Sequence, residues 1–374
     1  MLIHYLVTSL ERGGAEFSIP SIVHVLRNLG HEVHVHVCEP RDRVAESRLV
    51  EAGIAYTVLF EGRARKAGSV IRYAKVASAS RPDLIWTSLS HATLVGQVVG
   101  AILGIPVVSW KHSADAKRYI RWTHRLSRLW IADSADVSAF LTDSMGVPHS
   151  RIATWPLFSA AAIDGVQARW NDTDTLKIGS SGRLHPQKNY DLLLRAMARL
   201  RESDEWAFSR IQLSIAGEGP ERCRLEQLIR SLDLGSNVTL LGWVDDVANY
   251  LKGLHVYVQP SAYEGMCIAA HEAMAAGLPV LASPVGELKR SIQPDLTGIH
   301  LDSDIVESTV RALRRLFNHP EEMTRLGEGA RRYVLETMGP GTFARSGREV
   351  MSRVEMSLQQ LHRRALMRGG QRQA

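Results

Sequence analysis

The sequence is poor in cysteine and has no long hydrophobic run. Its 374 residues include 3 cysteines, an odd number without close spacing, so neither a disulfide scaffold nor a cysteine-rich zinc site is expected and a reducing cytosol fits best. No stretch reaches the roughly 18 apolar residues that a membrane-spanning helix needs. The first residues lack a basic leader followed by an apolar stretch and a cleavage site, so we expect a first core strand there rather than an export signal.

A strong charge excess is also missing. The chain has 45 Lys and Arg against 39 Asp and Glu, and it carries no recognised nucleic-acid motif, so a nucleic-acid partner is not expected. Apolar residues make up 45% and charged residues 22%, which excludes disorder or coiled coil as the main architecture. A chain of 374 residues is too long for one ordinary domain and suits two.

Short apolar runs alternate with amphipathic stretches along both halves of the chain. They predict strands at 2–8, 32–38, 56–60, 83–87, 106–109 and 129–132, and again at 177–181, 212–216, 238–241, 256–259, 280–282 and 298–301. Strand then helix, repeated, predicts parallel sheets with helices on both faces. We therefore predict an α/β protein with two doubly wound, Rossmann-like domains facing each other across a cleft, where such folds bind ligands.

A small and polar stretch at 160–175 separates the two halves. It predicts an N-terminal domain at 1–165 and a C-terminal domain at 175–340. The remaining segment, 341–374, is expected to be a helix that packs back toward the first domain and ends in a frayed basic tail.

The densest basic stretch of the chain is 111–130, in the first half. Its basic and aromatic residues are Lys111, Lys117, Arg118, Tyr119, Arg121, Trp122, Arg125, Arg128 and Trp130. A basic helix with aromatic residues suits an anionic surface such as a phospholipid headgroup or a lipid diphosphate. The alternative is a solvated helix face whose aromatic residues pack inward.

Two strand-to-helix turns are candidate phosphate sites. Gly13 and Gly14 follow the first strand and open the first helix, where free backbone N–H groups attract anions, although a plain turn explains the pair as well and the spacing is not GxGxxG. Arg183 and Lys188 bracket the turn after the strand at 177–181. Two fixed cations there are well placed to hold a diphosphate and to neutralise it as it departs; the alternative is a pair of solvated loop charges.

The block at 260–279 combines two acids with a short helix. Glu264 lies in the loop after a strand, Gly265 lets the chain turn close to a ligand, and Glu272 lies within the helix eight positions after Glu264. The first N–H groups of that helix, around 266–268, would face an anion. The alternative reading makes both acids ordinary surface residues.

This E-x7-E block, in the setting PSxxEG…EAMAxGxPV, resembles the retaining glycosyltransferases of the GT4-type family, which have the two-domain GT-B architecture. The GR…KN turn, the Gly-Trp-Val after the strand at 238–241 and the early Gly-Gly turn follow in the family's order. The resemblance spans residues from about 3 to about 350. It implies transfer of a hexose from a UDP- or GDP-linked sugar to a glycan or lipid-linked acceptor, in bacterial surface polysaccharide or lipopolysaccharide synthesis at the inner face of the membrane.

By this resemblance the second domain binds most of the donor. Arg183 and Lys188 would hold the diphosphate, Glu264 would hydrogen-bond sugar hydroxyls, and Glu272 would accept from both ribose hydroxyls. The other expected donor contacts are Gly13, Gly14, Gly242, Trp243, Val244, Gly265, Met266, Cys267 and Ile268.

The first domain would contribute two histidines. The resemblance places His112, after the fifth strand, beside the anomeric carbon and a donor hydroxyl, and His91 on the acceptor side. Without the resemblance either is an ordinary loop residue. His34 and His36 alternate in a strand, and we interpret them as structural because no third metal ligand is evident.

The implied reaction retains the anomeric configuration by same-face attack, in which the departing phosphate oxygen takes the acceptor's proton. A double displacement needs two carboxylates flanking the bond, and no such nucleophile is evident. Arg183 and Lys188 would neutralise the departing diphosphate, as a metal ion does in other transferases. No DxD motif that could bind such a metal follows a strand. We therefore expect no metal and no cofactor beyond the nucleotide sugar itself.

The sequence departs from the family pattern at two positions in this block. Cys267 stands where the second glycine of EGFG is usual, and His271 where an aliphatic residue is usual. Three alternative functions remain open: a nucleotide-sugar epimerase of the same fold, a phosphorylase, for which no pyridoxal lysine is evident, and a non-catalytic anion-binding module.

Overall fold

The structure, a computed structural model, describes residues 1–63, 65–161, 170–171 and 174–370, and it describes side chains up to 360. The chain divides into two compact units: Met1–Ser159 with Gly341–Ala374, and Ala160–Pro340. Most of the stretch predicted as a linker, 160–175, and the end of the predicted tail lie outside the described residues. Each unit is therefore described by itself.

The first unit is built on a seven-stranded sheet in which every pairing is parallel. Its strands are β1 Leu2–Val7, β2 Glu32–Val37, β3 Tyr56–Val58, β4 Leu84–Ser88, β5 Val107–Lys111, β6 Leu129–Ala132 and β7 Ile152–Thr154. Its helices are α1 Gly14–Phe17, α2 Ile19–Asn28, α3 Glu46–Glu51, α4 Lys66–Ser80, α5 Ser90–Leu103, α6 Arg118–Thr123 and α7 Ala135–Ala139. The strand order is β3-β2-β1-β4-β5-β6-β7. The edge strand β7 was not predicted, because Ile152 is the one large apolar residue in its sequence Ile-Ala-Thr.

The second unit repeats the scheme on a six-stranded parallel sheet. Its strands are β8 Leu176–Ser181, β9 Ile211–Ala216, β10 Val238–Gly242, β11 Val256–Gln259, β12 Val280–Ala282 and β13 Gly298–His300. Its helices are α8 Tyr190–Ser203, α9 Glu205–Ser209, α10 Arg222–Ser231, α11 Val247–Lys252, α12 Ile268–Ala275, α13 Leu288–Ser291, α14 Ile305–Asn318 and α15 Pro320–Met338. The order β10-β9-β8-β11-β12-β13 confirms the predicted α/β class with two parallel sheets.

Central strands are buried on both faces, as parallel sheets covered by helices require. Every residue of β4 and of β11 is buried, whereas the edge strand β10 alternates buried and exposed positions. This difference explains why the central strands read as continuous apolar runs in the sequence.

The last helix, α16 Pro340–Gly370, packs on the first unit. The ring centroids of Phe343 and Trp155 lie 5.2 Å apart, and a Cβ on Gly347 would lie 2.6 Å from Trp155. Arg128 Nε donates to Ser357 Oγ over 2.7 Å. The small size of Gly347 therefore lets the helix lie directly against the tryptophan.

Three histidines lie together on one face of β1 and β2. The ring centroids of His4 and His36 are 4.2 Å apart and those of His34 and His36 are 4.6 Å apart. Neither ring nitrogen of His36 has a hydrogen-bond partner in the described part of the chain. Burial, aided by the neighbouring imidazoles, lowers the pKa of His36 to about 2 and that of His4 to about 4. The imidazoles of His4 and His36 are therefore neutral at neutral pH.

The basic stretch 111–130 does not form one helix. Lys111 ends β5 and is buried, Trp130 lies in β6 and is 1% exposed, and only α6 and a short 3-10 turn at His124–Leu126 lie between them. The predicted basic helix is present but short: it is α6, because β5 extends to Lys111 and β6 begins at Leu129. Among the described residues, no helix combines the length and the apolarity that crossing a bilayer requires.

Candidate active site

The loops that follow β8 and β11 are tied to each other at the carboxyl edge of the second unit's sheet. Gln187 Nε2 donates to the Tyr263 carbonyl over 2.7 Å, and Ala262 N donates to the Gln187 carbonyl over 2.8 Å. Asn189 Nδ2 donates to the Pro260 carbonyl over 3.0 Å. Because β8 and β11 are adjacent parallel strands, the two motifs predicted separately from the sequence become one surface.

Lys188 and Glu264 form an ion pair within this surface. Lys188 Nζ lies 2.7 Å from Glu264 Oε1, and the two side chains are 14% and 7% exposed. Burial disfavours the charged form of Lys188, but the Glu264 carboxylate together with the neighbouring Cys267 and Tyr190 outweighs burial and raises the pKa of Lys188 above its ordinary value. The lysine is therefore charged at neutral pH, and its charge is compensated before any ligand binds.

A chain of buried hydrogen bonds fixes the Glu264 carboxylate. Ser261 Oγ donates to Glu264 Oε1 over 2.7 Å, and Gln259 Nε2 donates to Ser261 Oγ over 2.8 Å. The Tyr257 hydroxyl donates to Gln259 Oε1 over 3.1 Å and accepts from Ser181 N over 3.0 Å. These supporting residues escaped the sequence analysis, although their spacing of two along β11 and beyond is the signal of one strand face.

Cys267 adopts a backbone conformation that favours glycine. It precedes α12 with φ of 53°, in the left-handed region that non-glycine residues seldom occupy. This geometry fits the glycine of the EGFG pattern that the resemblance leads us to expect at the position. Burial, with the nearby Glu264 carboxylate, raises the pKa of the Cys267 thiol to about 12, so the side chain is a neutral packing group.

Gly286, which the sequence analysis missed, packs against the backbone of the loop that carries Glu264. Its φ is 55°, and a Cβ there would lie 2.6 Å from the Glu264 carbonyl oxygen and closer still to that of Gly265. Glu287 N donates to the Gly265 carbonyl over 2.9 Å. The available signal was a glycine in the loop directly after the predicted strand at 280–282.

Arg183 differs from Lys188 in its surroundings. It is exposed and, in the part of the chain that the structure describes, has neither an ion pair nor a hydrogen bond through its guanidinium. It follows Gly182, whose carbonyl oxygen would overlap a Cβ at Gly217. The close approach of these two glycines brings the loops after β8 and β9 together beside Arg183.

Gly242 ends β10 at the same edge of the sheet, and Trp243 and Val244 follow it. The Gly242 carbonyl accepts from Gly217 N over 2.7 Å, and a Cβ on Gly242 would lie 2.9 Å from Glu218 Oε1. The side chains of Trp243 and Val244 are partly exposed. The segment therefore lines the loop after β9.

Met266 and Cys267 are buried at the start of α12, Ile268 is partly exposed, and Glu272 is half-buried on the same helix. His271 beside it is fully buried, with Nδ1 3.0 Å from the Cys267 carbonyl and Nε2 3.0 Å from Ser291 Oγ. Burial lowers the pKa of His271 to about 4. His271 is thus a neutral side chain that links Cys267, at the start of α12, to Ser291 of α13.

In the first unit, the Gly-Gly turn lies against an acid. A Cβ on Gly13 would collide with Glu16 Oε2, and Gly14 begins α1. Glu16 is 5% exposed, and burial raises its pKa to about 7. The turn predicted to attract phosphate therefore has a carboxyl group beside it that titrates near neutral pH.

The two predicted histidines of the first unit lie at the carboxyl ends of β4 and β5. His91 Nε2 is buried without a hydrogen-bond partner among the described residues, and burial lowers the pKa of His91. His112 Nδ1 lies 3.6 Å from the carboxylate of Asp133. Asp133 directly follows β6 and was not singled out from the sequence.

Two family models match the chain and together span most of it. The model described as Glycosyltransferase Family 4 matches residues 12–158. The model described as Glycosyl transferases group 1 matches residues 167–333. The two matches fall on the first and the second unit respectively.

Curated relatives align over about half of their own length. The MMP alpha-(1->4)-mannosyltransferase of Mycolicibacterium hassiacum is 35% identical over 220 residues, which are 58% of this chain and 51% of that protein. The D-inositol 3-phosphate glycosyltransferase of Saccharomonospora viridis is 32% identical over 208 residues, 52% of this chain and 46% of that protein.

Solved structures share the fold at low identity. Anabaena Alr3699/HepE, in complex with UDP-glucose, superposes with a TM-score of 0.81 at 19% identity, covering 94% of this chain and 99% of that one. The sucrose-phosphate synthase of Thermosynechococcus elongatus superposes with a TM-score of 0.77 at 20% identity, covering 96% and 100%.

Proposed function

This chain belongs to the GT4-type glycosyltransferases of GT-B fold, and we propose that it is a retaining enzyme that moves a hexose from a UDP- or GDP-linked donor to a glycan or lipid-linked acceptor. The observation that carries the proposal is the buried Lys188–Glu264 pair, with the exposed Arg183 on the same loop. A mannosyltransferase among the relatives and UDP-glucose in a structural neighbour support a hexose and a nucleotide diphosphate.

The charges of this surface suit a nucleotide sugar. Arg183 and Lys188 hold the diphosphate, and the start of α12 adds backbone N–H groups that favour an anion. Because Lys188 compensates the charge of Glu264, the carboxylate repels the phosphates less. Its oxygens accept hydrogen bonds from sugar hydroxyls. Glu272 takes the ribose hydroxyls, and Gly242, Trp243 and Val244 lie by the base.

The proposed reaction proceeds on one face of the sugar. The bond between the anomeric carbon and the phosphate oxygen breaks with both electrons going to the oxygen. That oxygen takes the proton of the acceptor hydroxyl as the new glycosidic bond forms. Arg183 and Lys188 stabilise the negative charge of the departing diphosphate, so we propose that no divalent metal is required. His112 contacts the donor sugar and His91 the acceptor.

We also propose that the surface around α6 binds anionic lipid, which suits a lipid-linked acceptor in polysaccharide or lipopolysaccharide synthesis. Trp122 is 77% exposed, and its exposed neighbours are Lys117, Arg118, Arg121, Arg125 and Leu126. Arg128 is excluded from this surface because it bonds to Ser357. Basic residues around an exposed tryptophan suit the headgroup region of an anionic bilayer.

Vesicle sedimentation tests the lipid contact. Replacing Arg118 and Arg121 by glutamate should abolish binding to vesicles containing phosphatidylglycerol, and added salt should weaken binding of the unchanged protein. Reversing Arg195 and Arg230, two exposed charges of the second unit, is the matched control. Equal sedimentation of both double variants would contradict the lipid contact.

A thermal-shift panel of UDP-, GDP- and ADP-sugars tests the function itself. A ligand that binds only the folded state raises the Tm according to its concentration and Kd. One donor should raise it, and Arg183→Ala should reduce that shift. With the donor known, NMR of the product should show a retained anomeric configuration, and EDTA should leave the rate unchanged. An inverted product, or conversion of the donor without an acceptor, would contradict the proposal.

A further inference from the structure

Asp133 is a buried carboxylate that the fold does not use. It follows β6 directly and is 1% exposed. Within the described residues neither of its oxygens accepts a hydrogen bond. The helix that follows, α7, is capped by the hydroxyl of Ser134, which accepts from Val137 N over 3.3 Å, so Asp133 is not needed as a cap.

Such a group destabilises the folded protein. Burying a carboxylate removes its hydration, and without hydrogen bonds nothing replaces that hydration. Uncompensated groups of this kind concentrate at functional sites. A purely structural aspartate would be expected to accept hydrogen bonds from backbone N–H groups or side chains around it.

The imidazole of His112 lies beside the carboxylate. Asp133 Oδ2 lies 3.6 Å from His112 Nδ1, because β5 and β6 are adjacent parallel strands and both residues follow their carboxyl ends. Both ring nitrogens of His112 lack hydrogen-bond partners in the described ranges. A separation of 3.6 Å is longer than a hydrogen bond, but catalytic hydrogen bonds are often long before ligand binds.

An aromatic stack supports the histidine ring from one side. The centroids of His112 and Trp110 are 5.7 Å apart, those of Trp110 and Trp155 are 4.9 Å apart, and Phe343 of α16 lies beyond Trp155 at 5.2 Å. The stack limits where the ring can move. The separation of 3.6 Å exceeds an ordinary N–H···O hydrogen bond by less than about 1 Å.

We propose that Asp133 is a positioning residue for His112: its carboxylate accepts a hydrogen bond from Nδ1–H, which keeps the proton on Nδ1 and leaves Nε2 of the imidazole to accept a hydrogen bond from the substrate. A carboxylate can only accept, so the neutral ring must carry its proton on Nδ1. The inference rests on the proposed function, in which His112 contacts a hydroxyl of the donor sugar. It adds the residue that fixes the tautomer of that histidine.

Lys111 offers a rival role for Asp133, that of a plain counter-charge. The lysine is buried, and its Nζ donates to Ser113 Oγ over 3.0 Å. Burial lowers the pKa of Lys111 to about 8, against the opposing effect of the Asp115 and Asp133 carboxylates. A counter-charge role predicts that removing Asp133 changes Lys111 and leaves the His112 tautomer alone.

The test combines ¹⁵N-histidine NMR with kinetics on the full chain and its donor. At pH 8, above the usual titration range of imidazole, His112 should be the Nδ1–H tautomer, assigned by the loss of its signals in His112→Gln. Asp133→Asn and Asp133→Ala should give a tautomer mixture and lower kcat by roughly 10-fold or more, with KM for the donor little changed. Because the carboxylate that is removed accepts no hydrogen bond among the described residues, Tm should not fall in Asp133→Asn.

Controls separate the alternatives. Asp143→Asn, at an exposed position, should change nothing, and Lys111→Met should leave the His112 tautomer intact. An unchanged His112 spectrum in both Asp133 variants, or a fall in Tm that parallels the fall in kcat, would overturn the inference. If the tautomer changes but His112→Gln keeps full turnover, the coupling of the two residues stands and the proposed catalytic role of His112 fails.

Discussion

The ionisable side chains at the carboxyl edges of the two sheets differ in their hydrogen bonding. At the carboxyl edge of the second sheet, Lys188 and Glu264 are paired over 2.7 Å and held by a buried hydrogen-bond chain. At the carboxyl edge of the first sheet, Asp133 and His112 are buried or nearly so, yet lack hydrogen-bond partners among the residues described. The second unit is thus organised before ligand arrives, whereas the first holds groups that only a ligand or a small rearrangement can satisfy.

Because of this difference, we expect substitutions at the two edges to affect stability and turnover differently. Substitutions in the paired site of the second unit should damage folding and turnover together. Substitutions at Asp133 should reduce turnover without reducing stability. The predictions below test the contrast, beginning with the largest expected effect.

Glu264→Ala should be the most damaging single change. It leaves Lys188 buried without its counter-charge, and breaking a buried pair in this way costs about 3–5 kcal/mol of unfolding free energy. Turnover should fall with it, because Glu264 is proposed to bind the sugar. Urea denaturation and a donor-consumption assay measure both. Glu264→Gln, which keeps the shape, should be milder; equal stability of the Ala variant and the unchanged protein would refute the pairing.

Acid should destabilise the first unit through its histidine cluster. Burial holds the pKa of His4 near 4 and that of His36 near 2, below the ordinary value of about 6.5. The unfolded chain therefore binds protons that the folded chain does not, and the unfolding free energy falls as pH drops below about 6.5, by about 1.4 kcal/mol per pH unit and per histidine. Denaturation curves between pH 7 and pH 5 report this slope.

A matched pair of variants checks the source of the acid effect. His36→Leu should flatten the dependence of stability on pH, whereas His149→Leu, at an exposed position, should leave the slope as it is. A slope that is the same in both variants would mean that the cluster is not responsible.

Gly286→Ala should disturb the Glu264 loop. The added Cβ would lie 2.6 Å from the Glu264 carbonyl oxygen at a φ of 55°, and strain of this kind costs about 1–3 kcal/mol. The Kd for the donor should rise as the loop moves, which calorimetric titration measures. Gly235→Ala, where a Cβ would meet nothing within 4 Å, is the control; similar losses in both variants would argue against a special role for Gly286.

Cys267→Gly should have the smallest effect. Glycine relieves the left-handed backbone at φ of 53° but gives up a buried side chain, so the stability should change by about 1 kcal/mol or less. A β-branched residue tolerates this conformation poorly, and Cys267→Val should therefore be clearly less stable. Thermal unfolding of the two variants compares them, and a Val variant as stable as the Gly variant would contradict the strain.

The apolar pattern of the sequence was sufficient for most of the fold. Twelve of the strands lie where short runs of Val, Ile and Leu predicted them, because strands buried on both faces must be apolar throughout. Among the strands of the described residues, β7 alone was not predicted, since Ile152 is the one large apolar residue in it. The basic helix predicted in the stretch 111–130 is only six residues long, because the stretch begins and ends in buried strands.

The site was harder to predict because its contacts join distant positions. Lys188 and Glu264 were both singled out, but their pairing across 76 positions depends on β8 and β11 being neighbours, which the sequence does not state. The support by Gly286 and the approach of Asp133 to His112 likewise arise from strand adjacency. The sequence shows which residues have reactive or charged side chains, and the strand order determines which of these side chains are in contact.

The most direct test of the proposed function is a crystal structure of the chain with its nucleotide sugar bound. It should show the diphosphate on Arg183 and Lys188, the hexose on Glu264 and the ribose on Glu272. A nucleotide sugar bound away from the loop of 182–189 and the start of α12 would contradict the account.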